Sequence, residues 1–131
     1  MRKLIAALAV TGATMVGALV AAGPASADTA PQATCPYYHL CVFANANYTG
    51  GQVNFEFSNP NWRNIGPSWI TNNDQSWFNN GAPGSVGYAR VYANTSYGSR
   101  TVCMAPGFGI AYTSSAFANN NGESNNWGPS C

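Results

Sequence analysis

Charged residues are scarce in this sequence: five lysines and arginines and four aspartates and glutamates make up only 7% of its 131 residues. Beyond Lys3 there is no lysine, and His39 is the only histidine. A chain with so few cations lacks the basic surface that binds nucleic acid, and it lacks the basic clusters that attract anionic membranes. We therefore expect neither a nucleic-acid partner nor a membrane partner for the processed chain.

The same scarcity argues against catalysis. A single histidine leaves few ways to build general acid–base chemistry or a Ser-His-Asp triad. A glycosidase needs two opposed carboxylates, but Glu56 and Glu123 are the only glutamates, and Glu56 lies on the polar face of a predicted strand. No Gly-rich phosphate loop or metal-binding helix motif occurs. We predict a protein that is not an enzyme and requires no cofactor.

Residues 1–27 have the three parts of a secretory signal peptide: a basic start, an apolar stretch and the small-residue cleavage signal Ala25-Ser26-Ala27. A membrane anchor is the alternative, because the apolar stretch is nearly long enough to span a bilayer. The stretch is rich in alanine, however, and the cleavage signal follows it directly. We predict a secreted, extracellular protein of 104 residues that begins at Asp28, carries a formal charge of −1 and has a linker at 28–34.

All four cysteines follow the predicted signal peptide, and an even number in a small exported protein indicates disulfides. Four cysteines allow three pairings. We favour Cys35–Cys41, which closes a short loop, and Cys103–Cys131, which ties the last residue to the second half of the chain. A zinc site is the competing interpretation, but the spacings, the single histidine and an oxidising compartment argue against it.

A weak internal duplication is the most informative pattern. Residues 42–48, VFANANY, recur at 91–97 as VYANTSY, an offset of 49 positions. An Asn-rich cluster follows each copy, at 72–76 and at 120–124. The chain therefore consists of two similar units of about forty to fifty residues.

Each unit has the pattern of short β-strands. Residues 52–57 alternate, with Val53, Phe55 and Phe57 expected on one buried face. Runs rich in valine and aromatic residues at 40–44 and 88–93 predict two further strands, and the breakers at 81–84 predict the linker between the units. One unit alone could not cover its apolar face. We predict an all-β fold in which two Greek keys, at about 35–80 and about 86–131, pack as a sandwich.

The spacing Phe43-x4-Tyr48-x-Gly50 is similar to the aromatic hairpin signature of βγ-crystallin Greek keys, in which the aromatic side chains pack in a corner and the glycine permits a turn. The second copy keeps both aromatics, as Tyr92 and Tyr97, but its glycine is shifted by one place.

The start of the predicted mature chain, Cys35-Pro36-x4-Cys41-Val42-Phe43, resembles the small secreted actinobacterial proteins of peptidase inhibitor family I36. The resemblance implies a βγ-crystallin-like fold and inhibition of an extracellular metalloprotease through a rigid disulfide-held loop. We expect the protein to be a monomer. By the same resemblance, the inhibitory loop is expected at Val102, Cys103, Met104 and Ala105. The Cys103 carbonyl would meet the protease zinc and Met104 would fill the adjoining apolar pocket. The alternative is that Val102 and Met104 are ordinary strand core.

A calcium-binding module is a second hypothesis. Calcium sites of βγ-crystallins resemble the pattern Asn/Asp-Asn/Asp-x-x-Ser/Thr-Ser, and each Asn-rich cluster matches five of its six places. Hydroxyl and backbone oxygens suit calcium, which makes the candidate ligands Asp74, Ser76, Gly122 and Ser124. The alternative is that these clusters only form turns, which asparagine does readily.

A third hypothesis follows from a related group with the same fold that is described as killer-toxin-like. A role at the cell surface would allow the four tryptophans, at 62, 69, 77 and 127, to stack on sugars. In a domain of this size, the competing interpretation is that they build the core and the hairpin corners.

Overall fold

The computed structural model describes residues 34–64 and 67–131, which form two antiparallel sheets. The strands are β1 (Leu40–Asn45), β2 (Thr49–Phe55), β3 (Ser76–Asn79), β4 (Tyr88–Asn94), β5 (Gly98–Met104), β6 (Gly109–Ile110) and β7 (Ser124–Gly128). The described helical structure is limited to two 3-10 turns, at Ser68–Ile70 and Thr95–Tyr97. The predicted all-β fold is confirmed. The predicted signal peptide lies outside the described residues, and within them no helix has the length and apolar character to cross a membrane.

The two halves of the chain exchange strands. The first sheet has the order β2-β1-β3-β6, so its last strand comes from the second half of the chain. In return, Asn59 from the first half forms an antiparallel bridge with Asn125 in β7, beside the second sheet, whose order is β5-β4-β7. Neither half therefore completes its own sheet, which is why the two Greek keys share one core.

The core lies between the sheets. Its members are the inward-facing residues of the strands together with two tryptophans that are fully buried, namely Leu40, Val42, Val53, Phe55, Trp62, Ile70, Trp77, Ala89, Val91, Val102, Met104 and Ala118. Phe55 and Trp62 stack with ring centroids 4.9 Å apart. Burial of such large rings supplies much of the apolar driving force in a domain of this size.

The prediction that Phe57 shares the buried face of Val53 and Phe55 is wrong. Strand β2 ends at Phe55, and the side chain of Phe57 is 74% exposed. The alternating pattern continues in the sequence for two residues after strand pairing has ended, so alternation alone extended the strand too far.

Both favoured disulfides, Cys35–Cys41 and Cys103–Cys131, are present. The first spans 6 positions and the second 28. The second bridge fastens the end of the chain to β5, the edge strand of the second sheet.

The aromatic hairpin occurs in both halves. Phe43 and Tyr48 meet edge-on with centroids 5.6 Å apart, and Tyr92 and Tyr97 meet at 5.8 Å. The left-handed backbone positions are also conserved at the offset of 49: Asn47, Tyr48 and Gly50 have φ values of 56°, 58° and 78°, and Ser96, Tyr97 and Ser99 have 56°, 65° and 55°. Ser99 thus adopts the conformation that glycine provides in the first copy, and the hairpin survives the shifted glycine.

Candidate functional site

The predicted inhibitory segment does not form a loop. Val102, Cys103 and Met104 lie in β5, and only Ala105 lies beyond the strand. Val102 and Met104 are each 3% exposed and belong to the core cluster, whereas Cys103 and Ala105 are half-buried. The expectation that Met104 projects from an exposed loop is therefore wrong, because the pleat of β5 points its side chain into the domain.

A tight turn directly follows β5. The Phe108 N–H donates to the Ala105 carbonyl at 3.2 Å, and Gly107 has a φ of 79°. Proline at the second position and a left-handed glycine at the third are the signature of a type II β-turn. Phe108 is 67% exposed, so it is the large apolar side chain that this turn presents to solvent.

Asn79, at the end of β3, holds this turn in place. Its N–H donates to the Phe108 carbonyl at 2.9 Å, and its carbonyl accepts from the Gly107 N–H at 2.8 Å. Its side-chain Nδ2 donates to the carbonyls of Met104 and Gly87, both at 2.8 Å, and its Oδ1 accepts from the Gly81 N–H at 2.8 Å. Asn79 is fully buried, so these bonds are shielded from competing water.

The segment from Cys103 to Phe108 is thus fixed at both ends. The Cys103–Cys131 bridge holds its beginning, and backbone bonds to Asn79 hold its end. A segment held in this way loses little conformational entropy when it enters a cleft.

The two Asn-rich clusters meet in space at Asp74. Its Oδ1 accepts from the Gly122 N–H at 2.7 Å, and its Oδ2 accepts from Trp77 Nε1 at 2.8 Å. Its backbone carbonyl accepts from the Asn120 N–H at 2.7 Å. Burial raises the pKa of the Asp74 carboxyl from its ordinary value of 3.8 to about 6, although the hydrogen bonds from Gly122 and Trp77 act in the opposite direction.

Ser76 and Ser124 occupy equivalent positions in the two halves. Ser76 Oγ donates to the Asn45 carbonyl at 2.7 Å and accepts from the Tyr48 N–H at 3.0 Å. Ser124 Oγ donates to the Asn94 carbonyl at 2.7 Å and accepts from the Tyr97 N–H at 3.3 Å. Each serine therefore ties a later strand to the aromatic hairpin of its own half.

A family model for peptidase inhibitor family I36 matches residues 28–104, more than half of the chain. The chain belongs to peptidase inhibitor family I36. The match includes β5 as far as Met104 and ends before the turn that carries Phe108. The family resemblance seen in the sequence is thereby confirmed, and the family implies a protease partner.

Solved structures with a similar fold are βγ-crystallin domains. One comes from work on the evolution of the eye lens βγ-crystallin domain fold, with a TM-score of 0.60, 9% identity, and coverage of 72% of this chain and 90% of that one. An archaeal βγ-crystallin has a TM-score of 0.52, 19% identity, and coverage of 70% and 99%. The N-terminal domain of Protein S has a TM-score of 0.51 and 21% identity, with coverage of 68% of this chain and 93% of that one. At these identities the likeness shows the fold alone. The curated proteins provide no match.

In this I36 protein Asp74 and Gly122 are in direct contact, but the side chains of the candidate calcium ligands already have partners. Asp74 accepts hydrogen bonds from Gly122 and Trp77, and both serine hydroxyls bond to hairpin backbone. Trp77 and Asn125 stand where the pattern has its final serine. Within the described ranges, no group of three His, Cys, Asp or Glu side chains is arranged to hold a metal.

We therefore expect calcium to leave the stability of this protein unchanged. A ligand that binds only the folded state at 100 times its Kd adds about 2.7 kcal/mol, which raises the Tm of a domain of this size by at least about 10 °C. Thermal unfolding should be compared in millimolar calcium and in chelator, with magnesium as the control cation. A calcium-specific rise in Tm that Ser76→Ala removes would contradict this expectation and support the calcium-binding alternative.

The tryptophans divide between core and surface. Trp62 and Trp77 are fully buried, whereas Trp69 is exposed and Trp127 is half-buried. Two of the four tryptophans are therefore unavailable for stacking on sugars.

Sequence reasoning missed Asn79 and Phe108. The Pro106-Gly107 pair is a turn signal that could have drawn attention to Phe108, whereas nothing local marks the buried bonds of Asn79.

Proposed function

We propose that this protein inhibits an extracellular metalloprotease by presenting the segment Cys103–Phe108 to the active-site cleft, with Phe108 as the side chain that enters the apolar pocket. Family membership supports the general class of activity. The observation that carries the choice of segment is the combination of an exposed Phe108 with a backbone fixed on both sides.

The segment has the properties of a substrate that cannot leave. It continues from β5, an edge strand of the second sheet, and so lies where a protease strand can approach the sheet from the side. If the protease cuts the segment, the disulfide and the Asn79 bonds hold the new ends in place, and resealing competes with release. Inhibition then follows from slow product dissociation rather than from resistance to attack.

Phe108 replaces Met104 in this proposal because Met104 is buried in the core. The side chain that fills the pocket follows the carbonyl that binds zinc, so the carbonyl directed at the metal is that of Gly107. Zinc polarises this carbonyl as it would that of a substrate. Because glycine has no Cβ, no side chain at position 107 hinders close approach to this carbonyl.

Replacing Phe108 by alanine is expected to weaken inhibition at least about 30-fold, since an aromatic anchor in a protease pocket contributes 2 kcal/mol or more. The assay titrates the mature protein against a thermolysin-like metalloprotease and follows hydrolysis of a short peptide. Because Phe108 is mostly exposed, the Tm should change by no more than a few degrees.

Phe117→Ala is the matched control, because Phe117 is also exposed, at 56%, and lies outside the segment. It should inhibit as the wild type does. Equal inhibition by the Phe108→Ala variant and by the wild type would overturn the role given to Phe108. Absence of inhibition by the wild type at large excess would overturn the metalloprotease target, while leaving the family assignment intact.

A further inference from the structure

A second surface feature lies apart from Phe108. It is a cleft of about 370 Å³ between the end of β2 and the linker that joins the two Greek keys. Tyr38, Phe57 and Val86 line it and are 58%, 74% and 64% exposed, and the half-buried Trp127 forms another wall. Large apolar side chains that converge on one exposed hollow in this way are typical of an interaction site.

The cleft is pre-formed. The linker is pinned by the bond from the Gly81 N–H to Asn79 Oδ1 and by the bond from the Gly87 N–H to the Gly84 carbonyl at 3.3 Å. A Cβ at Gly81 would lie 2.8 Å from the Trp127 ring, and one at Gly87 would collide with the Ala82 carbonyl. The glycines thus let the linker backbone lie directly against its neighbours, and the cleft keeps its shape without a ligand.

Trp127 is fixed as well. Its indole Nε1 donates to the Glu56 carbonyl at 2.9 Å, and its backbone N–H donates to Ser58 Oγ at 3.1 Å. The donor edge of the indole is therefore occupied, and the ring contributes its π-face and apolar edge to the cleft rather than a free hydrogen-bond donor.

Glu56 is the one charged residue among those that line the cleft. Within 34–64 and 67–131 neither an arginine nor His39 forms an ion pair with its carboxylate, and the three arginines there have other partners. Arg63 pairs with Glu123 at 2.9 Å, Arg90 donates to the Ser130 carbonyl, and Arg100 donates to the Cys131 carbonyl. An exposed, unpaired carboxylate beside aromatic walls is complementary to a positive charge.

We propose that this cleft binds a lysine or arginine side chain of a partner protein. The aliphatic stem of such a side chain packs on apolar walls while its charged head reaches a carboxylate or an aromatic face. Tyr38, Phe57 and Trp127 supply the walls and Glu56 supplies the charge. The occupant is therefore a basic side chain at the surface of a protein, and the cleft is a contact additional to the segment at Phe108.

The lining argues against a sugar as the occupant. A sugar ring presents several hydroxyls, and sites for it need several hydrogen-bonding side chains beside the stacking ring. Here the side chains of Glu56 and Tyr38 are the free polar groups among ten lining residues, since the Trp127 N–H is already used. A single carboxylate with aromatic neighbours suits one cationic head better than a ring of hydroxyls.

The test follows the indole ¹H–¹⁵N resonance of Trp127 in the full mature protein. N-acetyl-lysine methylamide is the probe, and N-acetyl-norleucine methylamide, which has a similar stem and no charge, is its neutral comparison. We expect a saturable shift with the lysine probe at millimolar concentration, with an affinity about fivefold or more above that of norleucine. Glu56→Gln should remove this preference, and Phe57→Ala should weaken the binding of both probes.

Glu123→Gln is the matched control, because it makes the same chemical change to the other glutamate, which lies at the opposite end of β7 from Trp127. It should bind the lysine probe as the wild type does. The proposal is overturned if lysine and norleucine shift the Trp127 resonance equally, if Glu56→Gln keeps the preference for lysine, or if no saturable shift occurs. A saturable shift with an N-acetylglucosamine oligomer but not with lysine would likewise overturn it in favour of a glycan site. None of these outcomes depends on whether the protein inhibits a protease.

Discussion

Replacing Asn79 by alanine is expected to lower the free energy of unfolding by about 3–6 kcal/mol. The change deprives three buried backbone groups of their partner: the carbonyls of Met104 and Gly87 and the N–H of Gly81. Each buried polar group left without a hydrogen bond costs about 1–3 kcal/mol. For a domain with a total stability of about 5–15 kcal/mol this is a large fraction, and the Tm should fall by at least about 12 °C.

The neighbouring residue provides a control for Asn79. Asn80 Nδ2 donates to the Cys35 carbonyl at 2.7 Å, and Asn80 is only half-buried. Because Asn80→Ala removes a single bond that water can replace, its cost should be near 1 kcal/mol. Chemical denaturation of both variants tests the comparison. Similar losses for Asn79→Ala and Asn80→Ala would show that the bonds of Asn79 contribute little to stability.

Asn79 also links the two functional proposals. Its side chain bonds both to the Met104 carbonyl, inside the segment Cys103–Phe108, and to the Gly81 N–H in the wall of the cleft. We therefore expect Asn79→Ala, at a temperature where it remains folded, to weaken both protease inhibition and binding of the lysine probe. Phe108→Ala should affect only the first, and Glu56→Gln only the second.

The contribution of Asp74 to stability is expected to depend on pH. Burial raises its pKa to about 6 in the folded protein, compared with about 3.9 for an aspartate in an unfolded chain. The folded state therefore binds more protons than the unfolded state between these values. The stabilising contribution is fully present below pH 4 and is lost as the pH rises through 6, and the total change is about 3 kcal/mol.

The comparison with Asp74→Asn isolates this effect, since asparagine does not titrate. Stability measured by denaturation at pH 3.5, 5.5 and 7.5 should show the wild type losing ground to the variant by about 3 kcal/mol as the pH rises. Gly122 and Trp77 each donate to one oxygen of the Asp74 carboxylate. In Asp74→Asn the side-chain amide group replaces one of these oxygens, so at every pH one of the two donors faces another N–H donor. A difference between the two proteins that stays constant with pH would contradict the raised pKa.

The disulfides and the duplicated architecture were predictable because each can be seen in a few residues of the sequence, namely the cysteine positions and a short recurring hairpin motif. An even set of four cysteines indicates two disulfides but allows three pairings, and the favoured pairing, with one bridge that spans six positions, is the one present. The recurrence of the aromatic hairpin at an offset of 49 indicates two equivalent units before any contact is known. The hairpin at Ser99 shows that the pattern of aromatics outweighs the position of one glycine, since a single serine can take the left-handed conformation when the rest of the hairpin is in place.

The errors arose where the fate of a side chain depended on distant parts of the chain. The family resemblance predicts Met104 on an exposed loop, but Met104 lies in β5, and the inner face of that strand packs into the core. Phe57 was assigned to the core from its alternation with Phe55, but strand pairing stops before it. Periodicity describes which residues share a face, whereas the partners of that face decide whether it is covered.

The candidate calcium ligands show the same difference between what a local pattern predicts and what distant contacts decide. Composition and spacing show without any structure that oxygen-bearing residues recur in two equivalent clusters, that four cysteines are present to form disulfides, and that the chain is low in charge and rich in strand-forming patterns. The contact between Asp74 and Gly122, 48 positions away, comes from the folding of the whole chain, and so does the bond from each serine to a hairpin roughly 30 positions earlier. Local patterns reflect backbone preferences that each residue carries with it, but the partner of a polar atom is set by how distant strands and loops meet, which no short stretch of sequence contains.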